Sequence, residues 1–411
     1  MNLLKLTWKN IAHKPMNTML SIVLLSFGIG IISLMLLLKK QLGEKFDRNI
    51  KDIDFVLAAK GSPLQSILAN VYHVDAPTGN IKVSEAKRII KNPMVEKAIP
   101  LAYGDNYQKF RIVGTTVDYP NHYGCKTSEG KLFEKPFEAT IGSEVARETK
   151  LKIGDTFTST HGYDNAAEGD PDAHHHDKPF KIVGILEKSG SALDNLILTT
   201  VETTWMVHDH GDEHADHVHE EGDTSHVHEE PEREMTAYLI LKRNKGAFGM
   251  LSKQTENTTM QLANVAVENS RLMNNFGIGL STITGIAVVI TLLSFISIFI
   301  SLFNSLKERK YELALMRTMG GSRATLFRLL LQEGIVMVIL GYLAGVILSR
   351  IGLYILGNML EDSFKYDIKE MGIIPDEIIL LAVTVIVGIL ASLLPAVKAL
   401  RMDISKTLSN A

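Results

Sequence analysis

The chain has 411 residues and a net charge of −3, long enough for one sizeable domain plus several membrane spans. Its 43 basic and 46 acidic residues nearly cancel, which leaves no overall footprint for nucleic acid. Cys125 is the single cysteine, so an intrachain disulfide and a cysteine-built zinc cluster are both excluded; the thiol reads as inert rather than catalytic.

Residues 1–15 form an amphipathic, cytoplasmic N-terminal segment in which Lys5, Lys9 and Lys14 stand without an acid. The charge-free run 16–38 that follows is long enough for a first transmembrane helix. The lysines before it place the N-terminus inside. Lys39-Lys40, where a signal peptidase would need small residues, makes the run an uncleaved anchor. Residues 39–271 contain no further spanning run and are expected to fold outside the cytoplasm. Short apolar or β-branched runs at 110–117, 180–186, 196–201 and 237–241 predict strands, and 83–91 and 245–268 predict helices. Mixed α+β is the expected class for this domain. Gly61 and Pro63 predict a tight turn within D-F-V-L-A-A-K-G-S-P-L-Q (54–65).

Two hydrophilic, histidine-rich insertions, 161–177 and 208–230, interrupt the domain between strand-like runs. The charge-free stretch beginning at Leu272 predicts the second span over 272–304, with Gly277, Gly279 and Gly285 allowing close helix packing. A cytoplasmic segment at 305–327 leads to the third span, 328–356. There Glu333 can sit at the interface, Arg350 must snorkel or face the bundle, and Gly341-x3-Gly345 is a close-packing pattern. The acidic stretch 357–377, which includes Glu361, Asp362, Asp376 and Glu377, reads as an external loop. Residues 378–397 give the fourth span, and Lys398, Arg401 and Lys406 mark a cytoplasmic tail over 398–411. The expected architecture is an α-helical membrane protein with four transmembrane helices (1+3) and an α+β extracytoplasmic domain between the first and second.

Between the second and third spans, Leu306, Leu313 and Met316 recur at helical spacing, so a short amphipathic helix is predicted. Gly320-Gly321 stops it, and Ser322 caps the next helix. A basic cytoplasmic loop of no special function is one reading of this stretch. The other rests on Asn304, Glu308, Arg309, Glu312, Ala314, Arg317 and Gly320. Their spacing resembles the N-x3-E-R-x2-E-x-A-x2-R-x2-G signature of the FtsX-like/MacB-type ABC transporter permeases, which include MacB, LolC, LolE and FtsX relatives. The strings L-F-E-K-P-F-E-A-T-I-G-S-E-V-A (132–146), L-K-I-G-D-T-F (151–157) and F-K-I-V-G-I-L (180–186) are similar, in wording and order, to the periplasmic core domain of the same family. The ending P-A-V-K-A-L-R-M-D-I-S-K-T-L resembles that family's close, with Ser405 where a proline is usual.

The resemblance implies a transmembrane subunit whose 305–327 segment couples to a separate cytoplasmic ATPase through Asn304, Glu308, Arg309, Glu312, Arg317 and Gly320. It also implies a permease homodimer in the bacterial cytoplasmic (inner) membrane with both termini inside, and a periplasmic or outer-membrane partner. The chain itself is expected to hydrolyse nothing. The nearest string to a phosphate-binding loop, Gly124 to Lys131, has the wrong spacing and lacks the hydroxyl residue that holds Mg²⁺. No H-E-x2-H occurs, which argues against a zinc protease.

Eleven of the 14 histidines lie between His161 and His228. His174, His175 and His176, with His208, His210, His214, His217, His219, His226 and His228, offer imidazole nitrogens for Zn²⁺ or another divalent transition metal, and neighbouring acids add oxygens. No intrinsic cofactor is expected otherwise. A solvated insertion without function and a pH sensor are the competing readings. For the whole chain, divalent-metal handling or metal-regulated export stands beside two others: a lipoprotein- or envelope-directed transporter, and an FtsX-like transmitter that activates a cell-wall enzyme.

Overall fold

Two periodicities divide the chain. Runs of period two build a sheet unit, Gly43–Asn274, and long apolar helices build a helical unit from Met1–Leu42 and Asn275–Ala411. The computed structural model describes residues 7–9, 15–161, 178–208, 232–364 and 372–400. Most of the 1–15 and 398–411 segments and part of the 357–377 stretch therefore lie outside the described residues.

The first helix, α1 (Pro15–Ile50), continues past the charge-free run and ends within the sheet unit's sequence. The sheet unit then runs β1 (Phe55–Ala59), α2 (Pro63–Asn70), β2 (Ile81–Lys82), α3 (Val83–Ile90), β3 (Val95–Tyr107), β4 (Phe110–Thr115) and α4 (Asp118–His122). It continues through β5 (Thr127–Gly130), β6 (Glu138–Ile141), α5 (Ser143–Thr149), β7 (Thr156–Phe157), β8 (Thr160–His161), β9 (Phe180–Leu186), β10 (Leu196–Thr200) and α6 (Val201–His208). It closes with β11 (Glu234–Met235), β12 (Ala237–Lys242), α7 (Ala247–Thr255) and β13 (Met260–Asn264).

Nine strands lie side by side in the order β13-β1-β12-β3-β4-β10-β6-β9-β5; β7 adds to β9, β8 adds to β3, and β11 pairs with β2 apart from them. Alternation along each strand feeds opposite faces. Val56 and Ala58 of β1, with Leu239 of β12 and Leu198 of β10, enter one core, while Phe55, Leu57 and Ile240 enter a second and Ile112 and Ile197 a third. Both faces are covered, which is why β1, F-V-L-A-A, reads as an unbroken apolar run.

The expected strands are present with ends shifted by a residue or two. The expected helix over 245–268 is not one helix. It is α7, then the edge strand β13, then the start of the next helix. Thr258 and Thr259 interrupt it, and Met260–Asn264 pairs antiparallel with β1, so sheet completion outweighs local helix propensity. The turn at Gly61 and Pro63 serves as a helix start: Ser62 accepts from Gln65 N at 3.4 Å and Pro63 occupies the first turn of α2.

Gly142 precedes α5 at a place where an added Cβ would strike the carbonyl oxygens of Leu193 and Asp194. Backbone cannot yield as a side chain can. Gly142→Ala is expected to lower stability by about 1–3 kcal/mol, seen as faster amide exchange across β6 and β10.

The helical unit is completed by α8 (Val265–Glu308), α9 (Lys310–Thr318), α10 (Arg323–Phe364) and α11 (Pro375–Leu400). Among the described residues four helices, α1, α8, α10 and α11, are long and apolar enough to cross a membrane. Gly341 and Gly345 pack against Leu25, Ser26 and Ile29 of α1, as their spacing predicts. Among the described residues, nothing lies within 4 Å of a Cβ built on Gly277, Gly279 or Gly285. Glu377 is no loop acid. It sits in the first turn of α11, its side chain 1% exposed and paired with Arg350, which faces the bundle. Glu333 is likewise buried, and its Oε2 has no hydrogen-bond partner among the described residues.

Candidate coupling site and the roots of the histidine-rich insertions

The segment between α8 and α10 is fixed by its own apolar stripe. Leu306, Leu313 and Met316 turn inward onto Leu326, Leu329 and Leu330 of α10 and Ala396 of α11. The chain does not run straight through from α8 to α9. Arg309 holds φ −98° and ψ 15°, which breaks the helix and lets α9 take its own direction. At the other end Gly320 has φ +98°, a left-handed conformation that glycine adopts without steric cost. Gly320 N and Gly321 N donate to Arg317 O at 3.1 Å and Met316 O at 2.9 Å. Ser322 Oγ then accepts from Thr325 N at 3.1 Å and caps α10. Helix, stop and cap all follow the sequence reading.

Asn304 and Glu308 are exposed on the last turns of α8, Arg309 is half-buried at the break, and Arg317 is half-buried on the last turn of α9. Glu312 and Ala314 lie on α9. Lys307 and Lys398 bring their ammonium groups to the Phe303 ring, 5.0 Å and 4.2 Å from its centroid, joining the ends of α8 and α11.

Sequence reasoning missed a second stripe. Tyr311, Leu315 and Met319 are 52%, 46% and 81% exposed. Their four-residue spacing lines them along one side of α9 and its C-cap, away from the buried Leu313. The signal was available: a nine-residue helix with more apolar residues than one buried stripe uses has a second face to satisfy.

The histidine-rich insertions leave the sheet unit around α6. β8, where the first begins, pairs with Asp105 and Asn106 of β3. Phe180, where β9 begins after that insertion, lines a cavity of about 10 Å³ together with Asp105, Thr204 and Val207. The second insertion starts at the end of α6. On its far side Trp205 Nε1 donates to Glu234 O at 2.7 Å and Arg233 lies 4.7 Å over the Trp205 ring. His208 closes α6. His174, His175, His176, His210, His214, His217, His219, His226 and His228 lie outside the described residues. Among the described residues, no group of three or more histidine, cysteine, aspartate or glutamate side chains is placed to hold a metal ion.

Comparison with known proteins agrees with this architecture. The family model for the MacB-like periplasmic core domain matches residues 18–231, and that for the FtsX-like permease C-terminal region matches residues 284–404. The pyoverdine export ATP-binding/permease protein PvdT of Pseudomonas putida is 23% identical over 408 residues, covering 95% of this chain and 57% of its own length. The macrolide export ATP-binding/permease protein MacB of Neisseria meningitidis serogroup A is 22% identical over 409 residues, covering 96% of this chain and 58% of its own length. The chain thus spans a little over half the length of these curated relatives. Among solved structures, the periplasmic region of MacB from Actinobacillus actinomycetemcomitans shares 10% identity, over 56% of this chain and 96% of that one, with a TM-score of 0.36. The extracellular domain of the noncanonic ABC-type transporter YknZ from Gram-positive bacteria shares 9% identity, over 51% of this chain and 99% of that one, with a TM-score of 0.31.

Proposed function

Because the chain belongs to the family of MacB/FtsX-like ABC transporter permeases, a membrane protein with an α+β extracytoplasmic domain between its first two spans, we propose that it passes ATP-driven motion from a separate cytoplasmic ATPase to that domain. The observation that carries this reading is α9: a short helix set off by a break at Arg309 and a stop at Gly320, buried on one side and apolar and exposed on the other. Such an element is shaped to receive a partner and to move as a rigid piece. The boundaries between the two units fall inside α1 and α8, so a tilt of either helix has a covalent path into the sheet unit. On this reading both termini and α9 lie on the cytoplasmic side of the inner membrane. The permease pairs with a second copy, and the open space beside Gly277, Gly279 and Gly285 suits a helix–helix contact there. An outer partner in the envelope completes the machine. The test is copurification with the ATPase and measurement of its turnover. Glu308→Lys with Arg309→Glu should reduce permease-stimulated ATP hydrolysis about tenfold and leave the sheet unit folded. Unchanged stimulation sinks the role of these charges.

Metal handling is a second reading, supported by the arrangement of the insertion roots. Both insertions depart beside α6, so their roots share one region of the domain. Zinc is the first candidate, and binding should weaken as pH falls through about 6.5, because protonated imidazole cannot ligate. Titrating the full chain with Zn²⁺, with and without residues 209–230, decides it. Equal stoichiometry and affinity in both would make the second insertion functionally idle. In that case an envelope-directed transporter or an FtsX-like transmitter acting on a cell-wall enzyme becomes the stronger alternative.

A further inference from the structure

We propose that Ser33 is the positioning residue that sets α1 against α10 and α11, which an internal ion pair fuses into one body. Arg350 of α10 meets Glu377 of α11 in a two-pronged pair, Nη1 to Oε1 at 2.8 Å and Nη2 to Oε2 at 2.7 Å. The pair has further hydrogen bonds: Arg350 Nη2 donates to Gly372 O at 3.1 Å, and Ile374 N donates to Glu377 Oε2 at 3.2 Å. With side chains 15% and 1% exposed, separating the two would strand charges inside the bundle, so α10 and α11 move together.

Ser33 brings α1 to this pair. It is fully buried, its Oγ 2.5 Å from Glu377 Oε1 and 2.9 Å from Ser349 Oγ. Ser349 gives its own proton to Val346 O at 2.7 Å, so the Ser33 proton goes either to the carboxylate or to the Ser349 oxygen. The neighbouring seam is lined by small residues. A Cβ on Gly30 would lie 3.1 Å from Gly345 O, and one on Gly345 would lie 2.9 Å from Ser26 O. A seam of this kind brings two backbones close without fixing their register. The Ser33 hydroxyl, bonded to a charge that belongs to the fused pair, supplies the register. Since α1 runs on to Ile50, its register decides what the sheet unit receives. That consequence rests on the coupling reading; the mechanical claim does not.

The experiment uses the full chain in lipid nanodiscs, without nucleotide or ATPase, in a Cys125→Ser background. Spin-label pairs at Phe27→Cys with Ile347→Cys report α1 against α10, and Ile347→Cys with Ile386→Cys report α10 against α11; all three positions are exposed. Ser33→Ala, favourable for helix formation, should raise the population of displaced α1–α10 distances about threefold and leave the α10–α11 distribution unchanged. Ser349→Ala, which removes the alternative acceptor, should leave the α1–α10 distribution as narrow as in the parent. The proposal is overturned if Ser33→Ala leaves α1–α10 unmoved, if both pairs broaden alike, or if Ser349→Ala broadens α1–α10 as Ser33→Ala does. None of these outcomes touches ATPase docking, and a failed ATPase interaction would leave this test intact.

Discussion

Arg350→Ala is expected to destabilise the helical unit by about 3–5 kcal/mol, because it leaves the Glu377 carboxylate buried without its counter-charge. The carboxylate is 1% exposed and accepts from Arg350 twice, from Ser33 and from Ile374 N. After the substitution two uncharged donors remain for a full negative charge. Glu377→Ala should cost a similar amount for the opposite reason, although the longer arginine has some freedom to reach water. Removing both, as Arg350→Met with Glu377→Leu, should recover most of the loss, since a well-packed apolar pair often matches a buried ion pair. Thermal unfolding in detergent, followed by helical signal, measures all three. If the double variant is as unstable as the singles, packing volume rather than orphaned charge governs the site.

The positions of these two charges also show how far the sequence could be read. Arg350 stands inside an apolar run, so its need for a partner was legible. Its partner was not, because Glu377 sits in a cluster of acids that reads as loop by composition, and only the start of α11 at Pro375 turns it inward. The same division holds elsewhere. The spans, the stop at Gly320 and the cap at Ser322 depend on local chemistry and were readable. The 13-residue strand β3 was hidden, since Pro100 and Gly104 punctuate it as a turn would. In the fold, Pro100 stands opposite Tyr238 and the ladder shifts register between Tyr103 and Asn106, so the sheet absorbs both breakers. The helix expected over 245–268 failed for the complementary reason: β13 exists because β1 has a free edge, which is a non-local fact. At the candidate site the charged residues were found through a spacing pattern. The exposed stripe was passed over because apolar residues in a helix are first assigned to a core.

That stripe gives the prediction with the largest functional effect. Leu315→Asp should weaken binding of the ATPase partner by about 2 kcal/mol, roughly 30-fold, with the permease still folded. Leu315 is 46% exposed and flanked at four-residue spacing by Tyr311 and Met319, which are 52% and 81% exposed, so the new carboxylate meets water in the free chain. In the complex it would have to be desolvated at the centre of the contact, where apolar and aromatic anchors dominate affinity. Leu313→Asp is the contrasting variant. Leu313 is 4% exposed within the cluster formed with Leu306, Leu326 and Leu329, so a carboxylate there should disrupt α9 itself and lower the yield of folded permease. Titrating each detergent-solubilised permease with the purified ATPase separates the cases. A Leu315→Asp chain that binds as tightly as the parent would move the docking surface off α9 and onto the charged ends of α8 and α11, where Lys307 and Lys398 share the Phe303 ring.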